Sequence, residues 1–366
     1  MALMINNDEV HSLLTMQACI ESLENGYEEL AQGGAVDRER IDVYVPAPNP
    51  QENYRWSSME GASKREGVFV TRILSDMLYW QEGPGGITEG KYCRERGYYC
   101  GLLLVFSTRN GEPLAFINDG VLQHMRVGAS AGLGARLLSR QDSTRVGILG
   151  SGGMARSYLE AICCVRKVKE AKIFSPSPIR REAYAHEMAD KLKIEVTAVD
   201  HPSQAVRGSD IVACCTNSIA PVLKGSWLEP GVHVTDVTPL ELDNEALRRA
   251  DVGLKAGETL LKTTGGKSVF QNFPFLSYVA GTPEETDRIP KKPRRDEFFQ
   301  RIPVLIDYLS GKVQGRSKED QVTFFHNHGT IGFQFAVLAA RVYTLAKAKG
   351  MGKEFPTEWL LETVRD

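Results

Sequence analysis

The feature that most constrains this chain is the ten-residue run Val146-Gly147-Ile148-Leu149-Gly150-Ser151-Gly152-Gly153-Met154-Ala155. An apolar, strand-like stretch runs straight into a glycine turn and then into a helix-forming stretch. Gly150, Gly152 and Ala155 match the G-x-G-x-x-G/A spacing. In such a turn Gly150 permits the tight bend, and Gly152 lets the backbone approach a pyrophosphate. Ala155 keeps the helix close to the strand, and the helix N-terminus faces the phosphates. Gly150, Gly152, Gly153, Met154 and Ala155 are therefore candidate dinucleotide contacts.

The rhythm around this turn agrees with it. Strands are predicted over 145–149, 171–174, 195–199, 210–215 and 233–237, with helices over 154–166 and 180–192. Strands alternating with helices imply a parallel sheet with crossovers, an α/β Rossmann-type domain. Thr216, just past the 210–215 stretch, joins the candidate cofactor set. The choice of dinucleotide depends on the end of the second strand, where an acid would accept from a ribose 2′-OH. Here Ser175-Pro176-Ser177-Pro178-Ile179-Arg180-Arg181 offers no acid before Glu182. The hydroxyls of Ser175 and Ser177 and the cation of Arg180 or Arg181 suit a 2′-phosphate, so NADP is expected ahead of NAD.

The flanks have a different texture. Leu13, Met16, Ile20, Leu23, Tyr27 and Leu30 recur at spacings of three and four, which predicts one amphipathic helix over 12–31, ended by Gly33-Gly34. Residues 35–125 are β-rich. Asn110-Gly111 between two apolar runs predicts a hairpin over 102–117. A Gly/Ala/Leu-rich helix is expected over 127–140, and a largely buried one over 330–349. The segment 274–316 reads as a polar, proline-bearing connection, helical only around 297–309. The first third is thus an α+β unit, not part of the doubly wound sheet.

Length and composition set the outer limits. At about 150 residues per domain, 366 residues suggest two domains. Lys plus Arg total 44 and Asp plus Glu 46, so the net charge of −2 gives no pull toward nucleic acid or an anionic membrane. The basic run Lys291-Lys292-Pro293-Arg294-Arg295 reads as a solvated loop. Seven cysteines, none in C-x-x-C spacing, fit free thiols in a reducing compartment, and no metal site is expected. The polar start Asn6-Asn7-Asp8-Glu9 does not look like a signal peptide, and no run approaches the roughly 18 apolar residues of a membrane span. A cytoplasmic location is expected.

With these pieces in order, the chain resembles the ornithine cyclodeaminase/μ-crystallin family over nearly its whole length. The resemblance is carried by Trp56-Ser57-Ser58-Met59, Gly111-Glu112-Pro113-Leu114, Leu122-Gln123-His124-Met125-Arg126-Val127-Gly128-Ala129, Ser209-Asp210-Ile211-Val212, Trp227-Leu228-Glu229-Pro230-Gly231 and Glu241-Leu242-Asp243. It implies a Rossmann domain, 127–319, inserted into an α+β domain, 1–126 with 320–366, that binds substrate and pairs two subunits as a homodimer. It also implies chemistry at the Cα–N bond of a small amino or imino acid.

The resemblance gives Arg126 the role of holding the substrate carboxylate, with Arg40 as a second contact. Where the family usually has a lysine, this chain has Arg72, which can hold a carboxylate or polarise a carbonyl but does not readily trade a proton. The family's acid/base aspartate has Asp236 as its nearest substitute. In Phe324-Phe325-His326-Asn327-His328-Gly329-Thr330, His326 or His328 is a candidate proton donor. Three readings stand. The leading one is an NAD(P)H-dependent reductase of an imine or keto acid bearing a carboxylate. The others are a redox-neutral cyclodeaminase with bound NAD and a non-catalytic nucleotide-binding protein.

Overall fold

A computed structural model describes the chain except for residues 84–85, 258–268, 273–274, 291–295, 328–330 and 365–366. The basic run 291–295 and His328 therefore lie outside the described residues.

Seven strands belong to the first third: β1 (Ala2–Ile5), β2 (Ala35–Pro46), β3 (Glu52–Ser63), β4 (Val68–Gly83), β5 (Gly86–Tyr92), β6 (Cys100–Ser107) and β7 (Pro113–Asn118). Six follow in the glycine-motif half: β8 (Arg145–Leu149), β9 (Glu170–Phe174), β10 (Glu195–Ala198), β11 (Ile211–Cys214), β12 (His233–Asp236) and β13 (Val252–Lys255). The last four are β14 (Val269–Asn272), β15 (Phe275–Val279), β16 (Thr323–His326) and β17 (Lys353–Phe355). Among the described residues they form two sheets. One runs β14-β15-β2-β3-β4-β6-β7-β1-β17, with β5 on β4, and mixes parallel and antiparallel pairs. The other is parallel, in the order β10-β9-β8-β11-β12-β16-β13. The α/β Rossmann-type sheet beside an α+β sheet is what the sequence predicts.

The predicted hairpin is present as β6 and β7, paired antiparallel around the Asn110-Gly111 turn. The predicted opening helix is two helices, α1 (Asn7–Leu13) and α2 (Met16–Ala31), because Thr15 stops one and caps the other through its Oγ1. The helix expected from 127 begins earlier, as α3 (Gly120–Leu138), so Arg126 lies inside a helix and does not open one. Two further differences concern strands. β15, within the stretch read as a polar connection, pairs in parallel with β2. β16, read as lying beyond the Rossmann segment, sits between β12 and β13 in the parallel sheet. Sheet membership therefore crosses the 319/320 boundary drawn from sequence.

The last long helix, Gly332–Lys349, is apolar on all sides and packs on the inner face of the mixed sheet with α2, where Leu23, Tyr27, Val70, Leu103, Phe333 and Phe335 are buried together. Its start is set by backbone contact. A Cβ on Gly61 of β3 would collide with the backbone of Phe333, and one on Gly332 with the carbonyl of Glu60. Asp37 of β2 then accepts from the Phe333 N–H at 3.0 Å, capping the helix from outside its own chain segment. This placement fixes Gln334 and Phe335, two residues on, against α3.

Candidate active site

Arg126 is 1% exposed. Its guanidinium donates to Gln123 Oε1 at 2.8 Å and to Gln334 Oε1 at 3.2 Å, and it lies 4.5 Å over the Phe335 ring. Gln123 is one helical turn back on α3, so the two side chains share a face. Burial, and then the like charge of Arg72, push the Arg126 pKa down to about 9, which leaves it cationic at neutral pH. Arg72 sits 5.0 Å over the same Phe335 ring and donates to Asp119 Oδ2 at 2.6 Å. That ion pair exists because residue 101 is glycine: a Cβ there would stand where the Asp119 carboxylate lies.

Arg40 sits where β2 breaks register with β3, and it donates to Asp42 Oδ1 at 2.6 Å and to Ser57 Oγ at 3.0 Å. Its charge reaches Arg72 and adds to the burial that lowers the Arg72 pKa. Three arginines from β2, β4 and α3 thus converge, an arrangement suited to a carboxylate. Arg72, committed to Asp119, is a cationic contact and not a proton carrier.

Asp236 and His326 end the adjacent parallel strands β12 and β16, in register with each other. His326 Nδ1 lies 2.8 Å from Asp236 Oδ1 and 3.0 Å from Oδ2, and Asp236 Oδ1 accepts from the Asn327 N–H at 3.2 Å. Burial raises the Asp236 carboxyl well above the carboxylate range and lowers His326 to about 3. Both effects disfavour charge, so burial favours the uncharged form of each partner in this hydrogen-bonded pair. Asn327 Nδ2 donates to Val127 O and to Tyr158 Oη, both at 2.8 Å, tying this strand end to α3 one residue from Arg126. Next to Asp236, Glu241 is pushed up to about 7, chiefly by burial. It gathers the N–H groups of Thr216, Val237 and Thr238. The Thr216 hydroxyl also donates to Glu241, at 2.8 Å, so Thr216 shapes its loop through that carboxyl.

The glycine turn has the geometry that a dinucleotide needs. Gly150 has φ +110°, and a Cβ on it would collide with the Cys215 carbonyl. Its N–H donates to Phe174 O at 2.8 Å. A Cβ on Gly152 would meet nothing within 4 Å, so there is room above the start of α4 (Gly153–Val165), whose cap residue Gly152 makes no side-chain cap bond. Ala155 is buried against the sheet, with Met154 beside it. Open space at a helix N-terminus with its N–H groups uncapped by side chains fits a pyrophosphate.

Reading the sequence missed Asp119, Gln123, Gln334, Phe335, Asn327 and Glu241. Gln334 had a signal, as a polar residue inside an apolar helix; Asp119 had none, because its partner is 47 residues away.

Three similar proteins give this geometry a context. A protein of Rhizobium meliloti carrying a provisional dehydrogenase name is 30% identical over 266 residues, 70% of this chain and 73% of that one. The structure of Δ1-pyrroline-2-carboxylate reductase of Thermococcus litoralis, in complex with NADH and L-proline, superposes with a TM-score of 0.73 at 23% identity, covering 96% of this chain and 100% of that one. An archaeal alanine dehydrogenase dimer with bound NAD gives 0.72 at 20% identity, covering 97% and 99%.

The expectation of NADP is corrected by these relatives, which hold NADH or NAD. The two serines assigned to a 2′-phosphate are also already engaged. Ser175 Oγ accepts from Ser151 Oγ at 2.9 Å and faces Ser177 O. Ser177 caps the helix Pro178–Leu192 by accepting the Arg180 N–H, while the Arg180 side chain is exposed. Neighbouring Arg181 is held by Ser175 O and Asp200. Among the described residues no group of His, Cys, Asp and Glu is arranged to hold a metal, and no helix is long and apolar enough to cross a membrane. The sequence model of the ornithine cyclodeaminase/mu-crystallin family matches residues 96–350, and this chain belongs to that family.

Proposed function

We propose that this chain is an NAD(H)-dependent oxidoreductase that reduces an imine bearing a carboxylate, or a keto acid together with ammonia, to the corresponding amino acid. The observation that carries this reading is Arg126, buried, stacked on Phe335 beside Arg72, and on the helix that runs past the glycine turn. Arg126 clamps the carboxylate with its planar fork, and Arg72 and Arg40 add positive charge on the sheet side. When bound, the nicotinamide supplies the hydride to the sp² carbon. The neutral Asp236–His326 pair holds the proton. With the carboxylic acid donating to Nδ1, the ring keeps its own proton on Nε2, and passing that proton on draws the Asp236 proton to Nδ1. A reducing, cytoplasmic setting belongs to this reading and is supported by seven free cysteines.

NADH consumption is expected with cyclic imines carrying an α-carboxylate, or with 2-keto acids and ammonium, and not with their decarboxylated analogues. No consumption across such a panel would sink the reading. Release of ammonia from a diamino acid without net NADH turnover would instead favour cyclodeamination.

A homodimer is part of the same proposal. The outer face of the mixed sheet carries the cross-strand pairs Phe69–Phe106, Leu104–Phe116 and Met4–Phe116, and Met4 and Leu102 are 55% and 39% exposed. A strip this apolar fits burial against a second copy. Sedimentation at twice the 40.5 kDa chain mass is expected. Phe106→Asp is expected to give the single-chain mass, and an unmodified chain that sediments as a monomer at micromolar concentration would refute the dimer.

A further inference from the structure

The glycine motif contains one more glycine than its spacing demands. Gly153 occupies a position where the pattern accepts any residue. Its reason is tertiary: a Cβ there would stand 2.7 Å from His124 Nε2 and 2.8 Å from its Cε1. His124 comes from α3, in the turn preceding Arg126, and it crosses from the substrate-binding side to press its ring against the first residue of α4. The residue keeps part of its surface open to solvent while its ring is packed on Gly153, and it makes no hydrogen bond among the described residues. A partly solvent-open imidazole packed on the first residue of α4, next to the open space above Gly152, stands within reach of a group bound at that helix end.

We infer that His124 is a dinucleotide-binding residue, closing the glycine turn from the opposite side and donating a hydrogen bond to a pyrophosphate oxygen. The inference rests on the dinucleotide reading above and extends it to a residue outside the motif. It gives two parts of the chain a common ligand: Arg126 would hold the substrate carboxylate, and His124, two residues earlier on the same helix, the phosphates of the reductant. The two would then be set at a fixed separation by α3.

The charges around the ring give the interaction a pH dependence. Burial lowers the His124 pKa from its usual value near 6.5, Asp119 at the start of α3 opposes this, and Lys91 of β5, Arg126 of α3 and Arg156 of α4 lower it further. The ring is therefore neutral at pH 7.5 without ligand. The pyrophosphate, with one negative charge on each phosphate, favours the protonated ring beside it, so affinity rises as pH falls toward 6.

The test is direct binding of NADH, ADP-ribose and adenosine to the nucleotide-stripped full chain, by fluorescence and calorimetry. His124→Ala is expected to weaken NADH and ADP-ribose alike, by about tenfold or more, as for loss of a charge-assisted hydrogen bond. Adenosine, which has no phosphate, should bind unchanged. Gly153→Ala should reproduce the loss by displacing the ring, and His124→Lys should restore most of it. The gain in NADH affinity from pH 8 to pH 6 should flatten in His124→Ala.

Equal affinities in wild type and His124→Ala overturn the inference. Weakening confined to NADH also overturns it, because that places the contact at the nicotinamide end. If wild type binds neither NADH nor ADP-ribose, the dinucleotide reading itself fails, and the inference with it.

Discussion

Arg126→Ala is expected to lower kcat/KM for a carboxylate-bearing substrate by a hundredfold to a thousandfold, about 3–4 kcal/mol of lost binding in the transition state. NADH affinity should stay within a factor of about two, because Arg126 does not touch the glycine turn. The magnitude follows from burial. A guanidinium that is 1% exposed meets a carboxylate in a site from which water has been displaced, and there a two-pronged pair is worth several times an exposed one. Arg126→Lys keeps the charge but loses the fork, and it should fall between wild type and alanine. Steady-state kinetics with a carboxylated substrate, alongside NADH titration, check this. An unchanged KM in Arg126→Ala would remove Arg126 from the substrate site. Thermal melting guards against misreading the result, since Gln123 and Gln334 each lose a donor when Arg126 is truncated.

Asp236 carries the second large effect, and two substitutions separate its roles. Asp236→Ala leaves His326 Nδ1 without its donor and the Asn327 N–H without its acceptor in a place that water does not reach, at a cost of about 3–5 kcal/mol. At about 2 °C per kcal/mol for a chain of this size, melting should fall by roughly 6–10 °C. Asp236→Asn keeps the shape and loses the proton. It should melt near wild type, with kcat lowered by about a hundredfold or more and KM little changed.

The sign of the pH dependence follows from the direction of the shifts. Burial holds the proton on the pair through neutral pH, so wild-type kcat is high there and declines on the alkaline side as the pair loses it. Asp236→Asn should lack that alkaline decline. If the decline persists unchanged, the proton comes from another group.

The strand–glycine–helix signal is local, and it was legible because every part of it lies within ten residues. Gly150 needs its positive φ whatever surrounds it, and Ala155 needs to be small wherever the helix packs. The same holds for the β6–β7 hairpin, which follows from Asn110-Gly111 and the apolar runs beside it. The break between α1 and α2 was missed because the apolar period continues across Thr15, and a single capping hydroxyl interrupts it. β15 was missed because a five-residue strand in a proline-bearing stretch has too short a pattern to stand out.

The residues Asp236, His326, Arg126 and Arg72 could be named in advance, but their partners could not. Asp236 meets His326 across 90 residues of chain, Arg126 meets Gln334 across 208, and Arg72 meets Asp119 across 47. The cofactor shows the same limit: serines and arginines after the second strand suggested a 2′-phosphate site, yet Ser151 and the helix start engage the serines and Asp200 holds Arg181. By itself, the sequence determined the two kinds of sheet, the strand–glycine–helix turn and the residue types able to hold a carboxylate. Periodicity, turn chemistry and backbone sterics act between near neighbours. Tertiary structure alone decided which charge faces which and which proton is shared. Those outcomes depend on which strand ends become adjacent and on how much water is excluded when they do.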